Sequence, residues 1–176
     1  MKVVSKKIIL TGSFCVGKTS LISRFVYQRF PFSYQTTLGV RIDKKVTTLD
    51  DVKVNMIIWD IGGEQSQVRV PEAYYLGSSG VIYVFDLSRP ASFMNIDKDI
   101  NHIKKKLPNV PIILVGNKVD LLEKRTLEEV QSILPLPADF YTSAKEGKNV
   151  ENVFLKLAQD MILSLIHISE PTRRNS

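Results

Sequence analysis

Hydrophobic and polar positions alternate along this chain in two rhythms, one of period two and one near 3.6. The apolar run at Lys6–Leu10 predicts a strand that passes at once into a glycine-containing loop. Over Lys18–Tyr27, the residues Leu21, Ile22, Phe25 and Val26 fall on one stripe, which predicts a helix. Phe30–Leu38 has no period and reads as a loop. Val40–Leu49 and Val52–Asp60 read as strands joined by a hairpin at Asp50–Asp51. Within the second, Val52, Val54, Met56 and Ile58 alternate with Lys53 and Asn55, the mark of a half-buried strand. Val81–Asp86 and Ile112–Asn117 are continuous apolar runs, as strands covered on both faces require. Ser88-Arg-Pro90 predicts a helix start and a helix running to about Lys106. Thr126-Leu-Glu-Glu129 has the spacing of a capping box. Asp139–Thr142 predicts a short strand. A last helix follows Asn149, with Val150, Val153, Phe154, Leu157, Ala158 and Met161 on one face. Alternating strands and helices predict an α/β fold: six strands, mostly parallel, one antiparallel edge strand, and helices on both faces. In such sheets ligands bind beyond the carboxyl ends of the strands.

With 176 residues, 44% of them hydrophobic, one domain with a full core is expected. The single cysteine, Cys15, excludes an internal disulfide and fits a reducing, cytoplasmic compartment. No apolar stretch approaches the roughly 20 residues that span a bilayer, and Ile8–Leu10 is too short for a signal-peptide core. The formal charge of +6 comes partly from clusters at Lys6–Lys7, Lys44–Lys45 and Lys104–Lys106. None is interleaved with aromatics, so no nucleic-acid partner is expected. Solvated surface is the plainer reading, and attraction to anionic lipid or an acidic partner is the sharper one.

The segment Leu163–Arg173 resembles a translated transposase adaptor from DNA library preparation, with the following Arg-Asn-Ser as index sequence. It is set aside from fold reasoning, leaving residues 1–162 as the natural domain and 163–176 as a non-native tail. The alternative is a genuine helical extension.

Gly12-Ser-Phe-Cys-Val-Gly17-Lys18-Thr19 matches the phosphate-loop pattern. Its glycines let backbone N–H groups turn around an anion, and the following helix presents its positive end to it. The loop and helix start offer Gly12, Cys15, Val16, Gly17, Lys18, Thr19 and Ser20 to phosphates. Lys18 supplies a mobile charge for the β- and γ-phosphates, and the Thr19 hydroxyl is a hard ligand suited to Mg²⁺. Cys15 invites a redox-sensing reading, but its backbone alone suffices for the loop.

Asn117-Lys-Val-Asp120 follows an apolar strand, and Ser143-Ala-Lys145 follows the last one. In this order the motifs resemble the Ras superfamily of small GTPases, nearest the Rab-like branch through Thr37-Leu-Gly-Val40. The resemblance covers roughly Lys6 to Ile162 and implies the P-loop G-domain fold, bound GTP or GDP, and Mg²⁺. It implies that Asp120 accepts from guanine N1–H and its amine, that Asn117 braces the loop, and that Lys118 lies along the base. Adenine would leave such a carboxylate unpaired. Ser143, Ala144 and Lys145 complete the base side, with the Ala144 N–H addressing the guanine oxygen, and Phe30 stacks near the base. Thr37 resembles the threonine that closes over Mg²⁺ when a γ-phosphate is present, and Tyr34 the tyrosine that covers the phosphates. Asp60, in Trp59-Asp60-Ile-Gly-Gly63, would hold Mg²⁺ through water, and the Gly63 N–H would bind the γ-phosphate. Thr19, Thr37 and Asp60 are thus the metal set. Effectors, exchange factors and activating proteins would read the two loops, and the chain itself is expected to be a monomer.

Two residues depart from the family pattern. Glu64 stands where glutamine usually orients the attacking water, and Gln65 comes one place late. Lys18, Thr37, Glu64 and Gln65 are the candidates for the chemical step. Phe14 occupies a loop position that is commonly small, where bulk obstructs an arginine finger from a partner. Slow intrinsic hydrolysis is therefore expected, or a pseudo-GTPase that binds partners without turnover. Arg69 is a weaker candidate for an internal finger.

Overall fold

The computed structural model describes residues 1–31, 39–63 and 67–169. Six strands, β1 (Lys2–Gly12), β2 (Val40–Leu49), β3 (Val52–Ile61), β4 (Ser78–Asp86), β5 (Ile112–Asn117) and β6 (Phe140–Tyr141), form one sheet. Their order is β2-β3-β1-β4-β5-β6. Edge strand β2 runs antiparallel to β3, and the other neighbours are parallel, as the sequence predicts. The chain leaves β1 for β2 and β3 on one side, then returns to place β4 on the other. That reversal opens a crevice at the carboxyl end of β1, where the phosphate loop begins.

The period-two pattern of the strands splits into two cores. Ile8, Leu10, Val54, Met56, Ile58, Ile82 and Val84 face α1 (Lys18–Tyr27) and α5 (Val150–Ser169). Ile9, Val81, Tyr83 and Phe85 face α3 (Ile96–Lys106) on the opposite side, with α2 (Glu72–Tyr75) and α4 (Lys124–Ile133) at its margin. Helix α1 buries Leu21, Ile22 and Phe25, and the Phe25 ring stacks on Phe154 of α5 at 3.9 Å. All six predicted stripe residues of α5 are buried. The α5 backbone continues through Ser169, into the segment set aside above.

The helix expected from Pro90 to Lys106 is broken. A 3₁₀ turn covers Pro90–Ser92, and α3 begins only at Ile96. Ser92 Oγ accepts from the Asp86 N–H at 2.9 Å, and its hydroxyl is within donating distance of the Asp86 carbonyl at 2.9 Å and the Arg89 carbonyl at 2.7 Å, which holds the turn against the end of β4. Phe93 is fully buried edge-on to Phe85, so packing sets the chain direction there. The capping box is also not used. Helix α4 starts at Lys124, two residues before Thr126, because the Glu123 carbonyl already accepts the Leu127 N–H. Helix α2 and the 3₁₀ turn Gln67–Arg69 are too short to show a period.

A buried polar cluster fixes that turn behind the sheet. Thr11 Oγ1 donates to Gln67 Oε1, and Tyr75 Oη to the Gln67 carbonyl at 3.1 Å. Tyr83 Oη donates to Asp99 Oδ2 at 2.6 Å, and the Gln67 N–H reaches Asp99 Oδ1 at 3.5 Å. Burial pushes the Tyr75 phenol up to about 12, with the Asp99 charge adding to it. Tyr83 is raised further by burial and by its bond to Asp99. Both phenols therefore remain donors across the physiological range.

Candidate functional site

The loop after β1 has its carbonyl oxygens claimed one by one. Lys18 Nζ donates to Gly12 O at 3.1 Å and Ser13 O at 2.9 Å. Arg89 Nη2 donates to Phe14 O, Lys118 Nζ to Cys15 O at 2.9 Å, and Asn117 Nδ2 to Val16 O at 3.0 Å. Gly17 O accepts the Leu21 N–H as the first bond of α1. A loop with its carbonyls held this way presents amide N–H groups to an anion at the start of a helix. Thr19 and Ser20 lie half-buried in that first helical turn.

Lys18 is only 6% exposed. Burial holds its ammonium down at about 8, below the ordinary 10.5, against the opposing pull of Asp60. A buried cation in a cradle of N–H groups matches a polyanion. Thr19 Oγ1 donates to Asp60 Oδ2 at 2.5 Å, bringing two hard oxygen donors together beside the loop. Among the described residues, no three His, Cys, Asp or Glu side chains cluster to cage a metal. Two oxygens suit Mg²⁺, which keeps water and phosphate oxygens in its shell. The residues present therefore fit that ion.

Gly63 has to be glycine for another reason: a Cβ there would lie 2.4 Å from Phe14 Cα. Gly17 has φ +99°, and its Cβ would meet Asn117 Nδ2 at 2.3 Å. Gly17→Ala should therefore both strain the backbone and dislodge the Asn117 brace. A loss of about 3 kcal/mol in unfolding free energy is expected. Thermal denaturation of the nucleotide-free protein would show it as roughly 6–12 °C. An unchanged melting temperature would contradict the close approach.

On the base side, Asn117 is buried and ties three segments together. Its Oδ1 accepts from Thr142 Oγ1 at 3.0 Å and from the Ala144 N–H at a long 3.4 Å. Lys118, at φ 68°, also pairs with Asp86 Oδ2 at 3.0 Å, so its stem bridges two strand ends and the phosphate loop. Asp120 lies half-buried in the 3₁₀ turn Val119–Leu121. Ser143 is fully buried, exchanges backbone bonds with Lys148, and its Oγ accepts the Glu146 N–H at 3.0 Å. Ala144 is buried and Lys145 exposed. Phe30 is at the surface just beyond α1.

The structure thus brings together Gly12, Cys15, Val16, Gly17, Lys18, Thr19, Asp60, Gly63, Asn117 and Lys118, with Asp120 and Ser143–Lys145 on adjoining turns. Tyr34, Thr37, Glu64 and Gln65 lie outside the described residues. Three contributors went unread in the sequence. Arg24 of α1 donates to Ala144 O at 2.8 Å and to Lys145 O, which anchors the base-side turn. Asp86 holds Lys118, and Arg89 holds Phe14. No local pattern marks them. Only the apolar strand running into Asp86 hinted that residues at its end face the crevice.

Sheet order, phosphate loop and the two base-side turns define a P-loop nucleotide-binding domain. The Ras family's sequence profile matches residues 7–163. The chain is 35% identical over 172 residues to Ras-related protein Rab-7b of Mus musculus, covering 92% of this chain and 85% of that protein. It is 37% identical over 165 residues to Ras-related protein Rab-19 of Homo sapiens, covering 89% and 75%. With Ras-related protein Rab-21 of Bos taurus it shares 34% over 163 residues, covering 90% and 73%. The chain belongs to the Ras family of small GTPases, on its Rab-like side. Among the described residues, no helix is long and apolar enough to cross a membrane.

Proposed function

We propose that this chain is a molecular switch that binds GTP with Mg²⁺, hydrolyses it slowly to GDP and phosphate, and changes partners with the nucleotide. The observation that carries the reading is the direct tie between the two halves of the cleft. Asn117 and Lys118, which start the guanine-reading segment, donate to Val16 O and Cys15 O of the phosphate loop. Base and phosphate subsites are thereby held at a fixed separation, as one ligand spanning both requires. Lys18 and the loop N–H groups hold the phosphates. Thr19, Thr37 and Asp60 hold the ion, which neutralises phosphate charge when bound. Asp120, Ala144 and Phe30 read the base.

Thr37, Tyr34 and the Gly63 N–H gain contacts only when a γ-phosphate is present. Two loop arrangements then differ in free energy with the nucleotide, which is the condition for a switch. Effectors, exchange factors and activating proteins distinguish those arrangements.

Hydrolysis is slow because Glu64 replaces an amide that donates to the transition state, with Gln65 one residue too far on. Phe14, 46% exposed on the loop, obstructs a finger from outside. Single-turnover hydrolysis by the purified domain is expected at or below about 10⁻³ s⁻¹, near the intrinsic scale of such proteins. Identification of the copurifying nucleotide, with and without Mg²⁺ chelation, tests the binding half. GDP or GTP released on chelation supports the reading. Absence of guanine nucleotide, with no affinity for it when added, would remove it.

A further inference from the structure

The turn that follows β6 holds its own shape. Ser143 and Lys148 exchange backbone bonds at 3.1 and 3.0 Å, and the Glu146 N–H donates to Ser143 Oγ at 3.0 Å. Those bonds leave open where the turn sits against the rest of the cleft, and Arg24 sets that. Its Nε donates to Ala144 O at 2.8 Å and its Nη2 to Lys145 O, so one planar fork takes two successive carbonyls. A Cβ on Gly147 would lie 3.6 Å from Arg24 Cδ, so the stem of the arginine runs along the same turn. Arg24 is itself firmly placed. It stands in the last turn of α1, its carbonyl accepts the Gln28 N–H at 3.0 Å, and its neighbour Phe25 stacks on Phe154 of α5. The same helix carries Lys18 and Thr19 in its first turn. Its 10 residues, about 15 Å, thus join the phosphate end of the cleft to the base end.

A trans peptide points its C=O and its N–H to opposite sides. With the Ala144 carbonyl drawn to Arg24, the Lys145 N–H of the same peptide faces away from α1. The Ala144 N–H reaches Asn117 Oδ1 at a long 3.4 Å, a weak bond that an incoming acceptor can displace. We propose that Arg24 is a positioning residue for the base: by fixing the carbonyls of Ala144 and Lys145 it aims the N–H groups of Ala144 and Lys145 at guanine O6, and so slows release of the nucleotide. This rests on the GTPase reading above. Arg24 acts through the turn and touches no part of the nucleotide. Donors that are already in place bind without first being ordered, so the arginine strengthens binding by reducing the cost of ordering the turn. Its effect is confined to the acceptor that those two N–H groups address. The phosphates and the exocyclic amine, held by the phosphate loop and Asp120, do not sense its loss.

The test compares the full chain with Arg24→Ala and Arg24→Lys, each first stripped of nucleotide. Affinity and dissociation rate are measured for GDP and for 2-aminopurine riboside diphosphate. The second nucleotide keeps the diphosphate, the ribose and the exocyclic amine, but has hydrogen in place of O6 and no proton on N1. Arg24→Ala should weaken GDP by about tenfold, the size of one well-placed hydrogen bond, mostly as faster dissociation. Its affinity for the 2-aminopurine nucleotide should stay within about twofold of wild type. The preference for GDP therefore shrinks, which a general loosening of α1 would not produce. Arg24→Lys, a point charge without the planar fork, should fall between. Unchanged GDP binding in Arg24→Ala would overturn the proposal. So would equal losses for the two nucleotides, which would make Arg24 a brace for the fold. A wild-type protein that binds both nucleotides equally does not read O6 and also overturns it. A wild-type protein with no affinity for guanine nucleotides instead removes the GTPase reading, and this proposal with it. Should Arg24→Ala fail to fold, Arg24→Gln and Arg24→Lys carry the same measurements.

Discussion

Lys18→Met lowers the affinity for GTP and GDP by about 10³-fold or more, while the nucleotide-free protein melts no lower than wild type. The first half follows from the loss of a buried, desolvated cation facing phosphate. Removing one partner of such a pair costs about 4 kcal/mol, and 1.4 kcal/mol is a factor of ten. The second half follows from what burial does to Lys18 itself. Its ammonium sits at about 8 in the folded chain and at the ordinary 10.5 when exposed. Between those values the unfolded chain binds more protons than the folded one, so stability rises with pH there. Below about 8 the penalty of burying the charge is fully present, and above about 10.5 it is gone. The span corresponds to about 3 kcal/mol. Wild type without nucleotide or Mg²⁺ should therefore gain melting temperature as pH is raised from 8 toward 10, and Lys18→Met should lack that gain. A methionine variant that melts well below wild type at pH 7 would show that the lysine serves the fold rather than the ligand.

Asp120→Asn should weaken guanine nucleotides by about 10²–10⁴-fold and strengthen xanthosine nucleotides. A carboxylate accepts from both the N1–H and the exocyclic amine of guanine. Hydrogen bonds to a charged group contribute about 1.5–3 kcal/mol each, so two are at stake. Asparagine turns one acceptor into a donor that faces the guanine amine. Xanthine carries a carbonyl there instead, and the asparagine amide can donate to it. Among the described residues, the Asp120 carboxylate makes no hydrogen bond or ion pair, so the melting temperature of the nucleotide-free protein should be unchanged. Titration of GDP and xanthosine diphosphate against both proteins decides it. Equal loss for both nucleotides would mean that Asp120 does not read the base.

The sequence by itself determined the longer periodic elements and the chemistry that depends on neighbours a few residues away. The α5 stripe, the β2–β3 hairpin and the span of α1 follow from side-chain periods of two and 3.6, which are local geometry. The phosphate loop is equally local, since its glycines, lysine and threonine act within one turn. Tertiary structure decided the rest. The contacts of Arg24 with Ala144, Lys118 with Cys15 and Arg89 with Phe14 join residues 120, 103 and 75 positions apart. The break before α3 was decided by the burial of Phe93 against Phe85, which overrode a helical pattern that continues across it. Such pairings depend on which strand lies beside which. A strand order of β2-β3-β1-β4-β5-β6 is chosen by the burial of two whole faces at once, and no short window of residues contains that choice.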